Sequence, residues 1–302
     1  MLKFKKIDIE HRSRVVPYLE TGQIGTTERN FACIFVWGDN YCTEIAIEDD
    51  FLYIRMKAKE EVNFTYYPPI GNGDVETALN KIFEVENRES ITFYGLSKSQ
   101  VEVYSQLLKT RATFDLAEAN SDYMYNAVDL MTLVGKKFSA KRNHINKFMK
   151  LYGDNYLYRA IDFSNDYDEL MGFFNKWAVD KNSDDAESYE AEYIAIQRAI
   201  KYADELDLKG GVLYVDDKIA AFTIGARTDD KTFDVLFEKG NIEIEGSYAM
   251  INQCFAIANY EEYTYINREE DLGICGLRKA KQSYNPVFIN EKYRAVIRIF
   301  IS

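Results

Sequence analysis

One order of elements, read twice, constrains this chain more than any single motif in it. Apolar alternation predicts a strand near Leu2–Ile7 and helical spacing from His11 to about Glu20, followed by the apolar run "NFACIFVWGDNY". Three strands follow at Cys42–Ile47, Phe51–Lys57 and Val62–Tyr67, then a helix in "GNGDVETALNKIFEVEN" with Asp74 placed to cap it. "SITFYGL" reads as a strand, "SKSQVEVYSQLLKTR" as a helix, and "ATFDLAEANSDYMYNAVDL" as a return to extended chain. The second half gives the same succession. "YLYRAIDF" is a strand, and two amphipathic helices follow, with Leu170, Phe173, Phe174 and Trp177 on one face of the first. Three strands come next, with turns at Asp216–Asp217 and Asp229–Asp230, because paired aspartates between alternating runs favour hairpins. Then come the helix "SYAMINQCFAIANYEE", the strand "YTYIN", a short basic helix "GLRKAKQSY" and a final strand "FINEKYRAVIRIF". Both halves read β-α-α-β-β-β-α-β-α-β, which predicts an α/β (mixed-sheet α+β) protein of two like domains, residues 1–134 and 152–302, joined by residues 135–151. A chain of 302 residues is long enough for two cores.

The joining segment has the wrong sign for its chain. The net charge is -12, yet from Gly135 to Lys150 there is no acid. Lys136, Lys137, Lys141, Arg142, Lys147 and Lys150 supply six positive charges there, so the remainder stands at -18. Ser139 is placed to cap a helix, on which Lys141, His144 and Phe148 share one side and Arg142, Asn146 and Lys150 another. A thin apolar stripe and dense positive charge between two domains suit the wall of an anion-binding cleft. A solvated linker whose lysines balance the acidic domains is the competing reading.

Composition removes several classes of function. Two histidines, His11 and His144, leave no room for a histidine-rich metal centre, and no metal site is expected. Cys33, Cys42, Cys254 and Cys275 form no C-x-x-C pair and read as reduced, mostly buried thiols. The charged start carries no signal-peptide pattern, and no window has the roughly 18 apolar residues of a membrane span, so the expected location is cytoplasmic. No phosphate loop, nucleophile elbow or dinucleotide fingerprint is present. The acidic surface argues against DNA and against any long nucleic-acid footprint, so an anionic partner has to be met locally.

A second cluster of charge lies in "NREEDLGICGLRKAKQSYNP". Gly273 and Gly276 bracket a turn into a helix, where backbone N–H groups can face an anion. Arg278, Lys279 and Lys281 put cations at that same end, against the helix dipole, which suits a bound anion or pairing with Glu269, Glu270 and Asp271 just upstream. For proton transfer from an amine, Glu238, Glu270 and Asp271 are the candidate carboxylates. Glu238 paired with Lys239 or an arginine is the structural alternative.

Four stretches, "ERNFACIFVWGDNY", "DYMYNAVDLMTLVGKKFSAKRNHINKF", "LFEKGNIEIEGSYAMINQCFA" and "YTYINREEDLGICGLRKAKQSYNPVF", carry a family resemblance. They resemble bacterial proteins grouped with the C-terminal catalytic domain of phosphatidylglycerol lysyltransferases. The resemblance implies a tandem pair of GNAT (N-acetyltransferase-like) domains, related to Fem-type transferases that use aminoacyl-tRNA. It therefore implies acyl or aminoacyl transfer to an amine or hydroxyl, with Glu238 on the strand bordering the acyl site. Lys136, Lys137, Lys141, Arg142, His144, Arg268, Arg278 and Lys281 are then the expected binders of an anion, whether the tRNA acceptor end, a small anionic ligand or a lipid head group. Unlike the lipid-modifying members, this sequence shows no transmembrane portion. It also lacks the Arg/Gln-x-x-Gly-x-Gly loop for coenzyme A pyrophosphate; "PPIGNG" and "GNIEIEG", around Gly71–Gly73 and Gly240–Gly246, come nearest. An acetyl-CoA-dependent N-acetyltransferase of a small amine and a non-catalytic anion-binding pair are the alternatives.

Overall fold

The computed structural model describes residues 1–21, 25–86, 88–180 and 186–299. Two mixed sheets organise them, and their strand orders correspond place for place. The first runs Lys5–Lys6, Glu44–Glu48, Phe51–Met56, Thr65–Tyr66, Ser90–Leu96, Tyr293–Arg298, Ala112–Leu116, with Ile70–Gly71 paired aside. The second runs Tyr156–Ala160, Lys209–Val215, Lys218–Arg227, Thr232–Gly240, Tyr265–Asn267, Asp122–Asn126, Phe288–Asn290. Matching hairpins close on Asp49–Asp50 and Asp216–Asp217, all four residues at positive φ. A two-residue turn with both residues left-handed matches the twist of its strands, and Asp tolerates that region better than most residues. The run at 28–41 forms the helix Phe31–Val36, and Asp74 caps Val75–Val85 by accepting from the Thr77 N–H at 2.8 Å.

The correspondence holds only because each half gives a strand to the other. The stretch read as one extended return, 112–130, is two strands and a helix: Ala112–Leu116 stays in the first sheet and Asp122–Asn126 crosses to the second, ahead of the helix Ala127–Thr132. The final strand is likewise two, Phe288–Asn290 in the second sheet and Tyr293–Arg298 in the first. Nothing in the hydrophobic pattern marks either break, although Asp122–Asn126 is almost wholly buried and Phe288–Asn290 has no buried residue.

The crossing is pinned by a buried cation. Lys292, between the two pieces of the last strand, is 3% exposed and places Nζ 2.7 Å from Asp122, 2.8 Å from Glu28 and 2.7 Å from the Thr27 hydroxyl. Asp122 is fully buried and also accepts from the Thr27 backbone N–H and the Asn267 amide. Burial pushes its carboxyl up to about 7 against the pull of Lys292. One apolar cluster likewise spans both halves, from Val15 and Phe35 to Leu170, Ile196 and Phe222. The helices Phe31–Val36 and Ala186–Lys201 meet within it, Phe35 lying edge-on to Tyr202 at 5.1 Å.

Two local features shape the centre of the second sheet. Thr232–Gly240 and Tyr265–Asn267 run parallel for only three residue pairs, 232–234 with 265–267, and then part. A bulge opposite Ile224/Gly225 puts both Leu236 and Phe237 on the face of the larger core, whereas Phe233 and Val235 pack on the other face with Phe255. The extra residue reverses the alternation beyond it, so Glu238 emerges on the side of the helix Ser247–Asn259. Among the described residues no helix is long and apolar enough to cross a membrane.

Replacing Lys292 by Met leaves Asp122 and Glu28 without their buried counter-charge, which costs about 3–5 kcal/mol. The expected outcome is an unfolding free energy lowered by that amount, read as a lower urea midpoint for the whole chain in one transition, since both sheets contain strands from both halves.

Candidate active site at the parted strands

Where the two parallel strands separate, their next side chains meet across the gap. Glu238, from one strand, lies 2.7 Å from Arg268, which follows the other, and both are about nine-tenths buried. Asn252, on the helix Ser247–Asn259, approaches the second Glu238 oxygen at 3.4 Å. Of the two alternatives for Glu238, the arginine is its partner, while Lys239 turns to Glu192 at 2.7 Å.

Arg268 is held without being saturated. Its guanidinium lies 4.7 Å from the Tyr284 ring centre, and its Nη1 is buried with no hydrogen-bond partner among the described residues. Lys141, from the joining helix, lies over the same ring at 3.8 Å. Desolvation, then repulsion by Arg268, lowers the Lys141 ammonium to about 8, against some support from Glu238. Lys281 completes the group by donating to the carbonyls of Arg268 and Glu270, and burial lowers its ammonium as well. Two cations, Lys141 and Arg268, thus share one ring beside Glu238, and Lys281 braces the backbone that follows Arg268.

The rest of the expected basic wall is turned to other work. Lys136 is exposed, and Lys137 pairs with Asp129 at 2.7 Å. Arg142 donates to the carbonyls of Leu133 and Gly135, closing the chain after the helix Ala127–Thr132. His144 and Lys147 face Glu245, at 3.9 and 3.0 Å. The helix runs Ser139–Tyr152 with Phe138 at its cap position, so Ser139 is its first residue and makes no capping bond. Only Phe148 on it is fully buried, which is why a stripe of charge could not be assigned to one face from spacing alone.

In the second charged cluster, Asp271 and Arg278 pair with each other. Asp271 accepts from Arg278 Nε at 2.7 Å, Arg278 Nη2 at 3.2 Å, the Tyr123 hydroxyl at 2.7 Å and the Gly273 N–H at 2.8 Å. The Arg278 bond is the leading cause that holds its carboxyl down at about 2. A carboxylate held so far below neutrality accepts a proton poorly, so the position serves the turn at Gly273 (φ 73°), and the base expected at Asp271 is not where proton transfer is favoured.

A residue absent from the expected set stands closer to that chemistry. Glu269, itself left-handed (φ 57°), turns toward the first half, where Cys33 Sγ lies 3.8 Å from its Oε1. Desolvation, then the charges of Asp234 and Glu270, raises its carboxyl well above the usual range. Burial also raises the Cys33 thiol and the hydroxyls of Tyr41 and Tyr67, although Tyr41 is 47% exposed. Groups both desolvated and in touch with solvent describe a recess walled by protein. Glu28, Asp122 and Asp234 stand behind it, Asp234 fully buried and bonded to Asn30 at 3.0 Å. No spacing in the sequence announces this cluster, because the strand crossing assembles it from residues 28–33, 122, 234 and 267–270.

The Lys141 environment is directly measurable. Lysine methyl signals from a reductively methylated sample should include a group titrating near pH 8 that disappears in Lys141→Arg. Arg268→Met should move it toward the ordinary lysine range, and no movement would show that Arg268 does not act on it.

The sequence profile of the family described as "Phosphatidylglycerol lysyltransferase, C-terminal" matches residues 21–296. A Bacteroides thetaiotaomicron protein described as conserved and of unknown function is 39% identical, with a TM-score of 0.91 over 98% of this chain and 100% of that one. L-PGS from Bacillus licheniformis shares the fold at 16% identity and a TM-score of 0.63, over 96% and 93% of the two chains. A tandem GNAT protein from the clavulanic acid biosynthesis pathway does so at 7% and 0.55, over 99% and 98%. An uncharacterised protein of Mycoplasmoides gallisepticum is 28% identical over 264 residues, 85% of this chain and 83% of its own. With its profile matched across nearly the whole chain and two interlocked GNAT-like halves, the protein belongs to the phosphatidylglycerol lysyltransferase C-terminal family.

Proposed function

We propose that the protein is an acyltransferase that moves an aminoacyl group from aminoacyl-tRNA to an amine or hydroxyl acceptor, at the gap between the parted strands. The observation that carries this reading is the meeting of Lys141 and Arg268 on the Tyr284 ring with an unanswered guanidinium N–H, which suits a phosphate-bearing donor end. Glu238 orients Arg268, and Tyr284 keeps Lys141 beside it. Attack on the ester carbon forms the new acyl bond as the ribose oxygen departs, and fixing both partners in the gap supplies much of the rate. Glu270, half-buried, gives its backbone carbonyl to Lys281.

The coenzyme A alternative has less support, because both nearest loops are occupied. The helix Val75–Val85 begins on the carboxylate of Asp74, which bonds the N–H a pyrophosphate would use. Before the helix Ser247–Asn259, Gly246 lies so close to the joining helix that a Cβ there would sit 2.6 Å from the His144 carbonyl. That helix end is covered by the chain's own backbone.

Calorimetric titration with charged tRNA, uncharged tRNA and acetyl-CoA tests the reading. Charged tRNA should bind, with affinity falling steeply as salt rises and as pH rises through 8. Lys141→Ala should weaken it about tenfold, and Lys141→Arg should remove the pH dependence. Binding of acetyl-CoA alone, indifferent to Lys141, would overturn it.

A further inference from the structure

The acidic recess behind Glu269 is not needed to hold a phosphate end, and its chemistry is opposite in sign. Five carboxyl groups, Glu28, Asp122, Asp234, Glu269 and Glu270, lie within electrostatic reach of one another across both halves, with Lys281 and Lys292 as the lysines among them. Lys292 is used up by Asp122, Glu28 and Thr27, and Lys281 is turned to two carbonyls. Two carboxylate oxygens remain buried without a hydrogen-bond donor among the described residues: Asp234 Oδ1, on a fully buried side chain, and Glu28 Oε2. Asp234 is tethered through Asn30, whose side chain caps the helix carrying Cys33, so its free oxygen belongs to the wall that Cys33 and Glu269 share. A surplus of acceptors with no donor is the inverse image of a group with several N–H bonds and a positive charge.

We propose that this recess binds a primary ammonium group and that the acceptor of the reaction is accordingly a primary amine rather than a hydroxyl. The inference rests on the aminoacyl-transfer reading for the identity of the reaction, and on the recess alone for the identity of the ligand. A primary ammonium brings three N–H donors, which match the free oxygens of Asp234 and Glu28 and the carboxyl of Glu269. A quaternary ammonium brings none, and a hydroxyl brings one without charge. In the transfer step the bound ammonium gives one proton to Glu269. The free nitrogen forms a bond to the acyl carbon, and the bond from that carbon to the ribose oxygen breaks. Glu269 passes its proton to the departing oxygen, while the second nitrogen proton leaves to solvent.

A proton signature follows from the groups around Glu269. Asp234 and Glu270, with Asp122, raise its carboxyl, Lys281 opposes them, and Cys33, Tyr41, Tyr67, Glu28 and Lys292 complete the charged and titratable wall. Burial and neighbouring charge hold Glu269, and Asp234 likewise, toward the protonated form in the empty recess, and an arriving cation favours the ionised forms. Binding should release a proton.

The test is calorimetry without tRNA, using 1,4-diaminobutane, choline and glycerol in two buffers of different ionisation enthalpy. The diamine should bind wild-type protein with a buffer-dependent enthalpy reporting net proton release, from the carboxyl shifts described above. Choline and glycerol should give no heat. Glu269→Gln should weaken the diamine at least tenfold and reduce the buffer dependence. Should that variant not fold, the wild-type buffer comparison decides alone. Glycerol binding as well as the diamine, or diamine binding with no proton released, would overturn the proposal. Diamine binding by a protein that ignores charged tRNA would uphold the amine site and remove the tRNA donor, so the two readings fail separately.

Discussion

Everything in this structure passes through one buried ammonium. Lys292 lies where the last strand leaves the second sheet for the first, bonded to Asp122 where the other exchanged strand enters the second sheet. A lysine in an apolar interior without partners would lose its charge. Two carboxylates and a hydroxyl keep it ionised, and its ammonium is raised well above the usual range. The pair sits at the crossing of both exchanged strands, so it stitches the sheets together and also fixes which residues of the first half reach the second. Glu28 touches Lys292 directly, and the helix bearing Cys33 begins two residues later at Asn30. The recess at the interface therefore inherits its walls from the same interaction that closes the fold.

The site exists because the second sheet is imperfect at its centre. Three residue pairs of parallel ladder end at Asp234 and Asn267, and a bulge at Leu236 turns Glu238 out of the larger core. Continuous pairing would have buried these side chains in alternation and left no gap. Instead Arg268 and Glu238 meet through side chains where backbone bonds would have been, and Lys141 and Tyr284 close over them. On one side of this seam charge is positive and short of acceptors; on the other it is negative and short of donors. That polarity sets opposite charge on the two sides of one strand end.

The repeated order of elements, the hairpin turns and the Asp74 cap were legible because they depend on neighbours in sequence. The exchanged strands were not. A half-buried strand has the same alternation in either sheet, so "FINEKYRAVIRIF" reads as one strand although Lys292 divides it. Charge was legible only as quantity. The six cations of residues 135–150 stood out, but which one points inward depends on the packing of Phe148 and on Glu245, Asp129 and the carbonyls that engage the others. Glu269 was invisible as distinct from Glu270 and Asp271, since three adjacent acids differ only in backbone direction. The left-handed Glu269 and the Arg278 clasp on Asp271 send them to separate environments.

The most direct test of the account is a crystal structure with a stable donor-end analogue, an aminoacyl group joined by an amide to 3′-amino-3′-deoxyadenosine 5′-phosphate. The account predicts its phosphate within ion-pair distance of Lys141 or Arg268 and its acyl carbonyl in the gap between Glu238 and Glu269. Density at the loops near Gly71 or Gly246, with the gap unchanged, would contradict it.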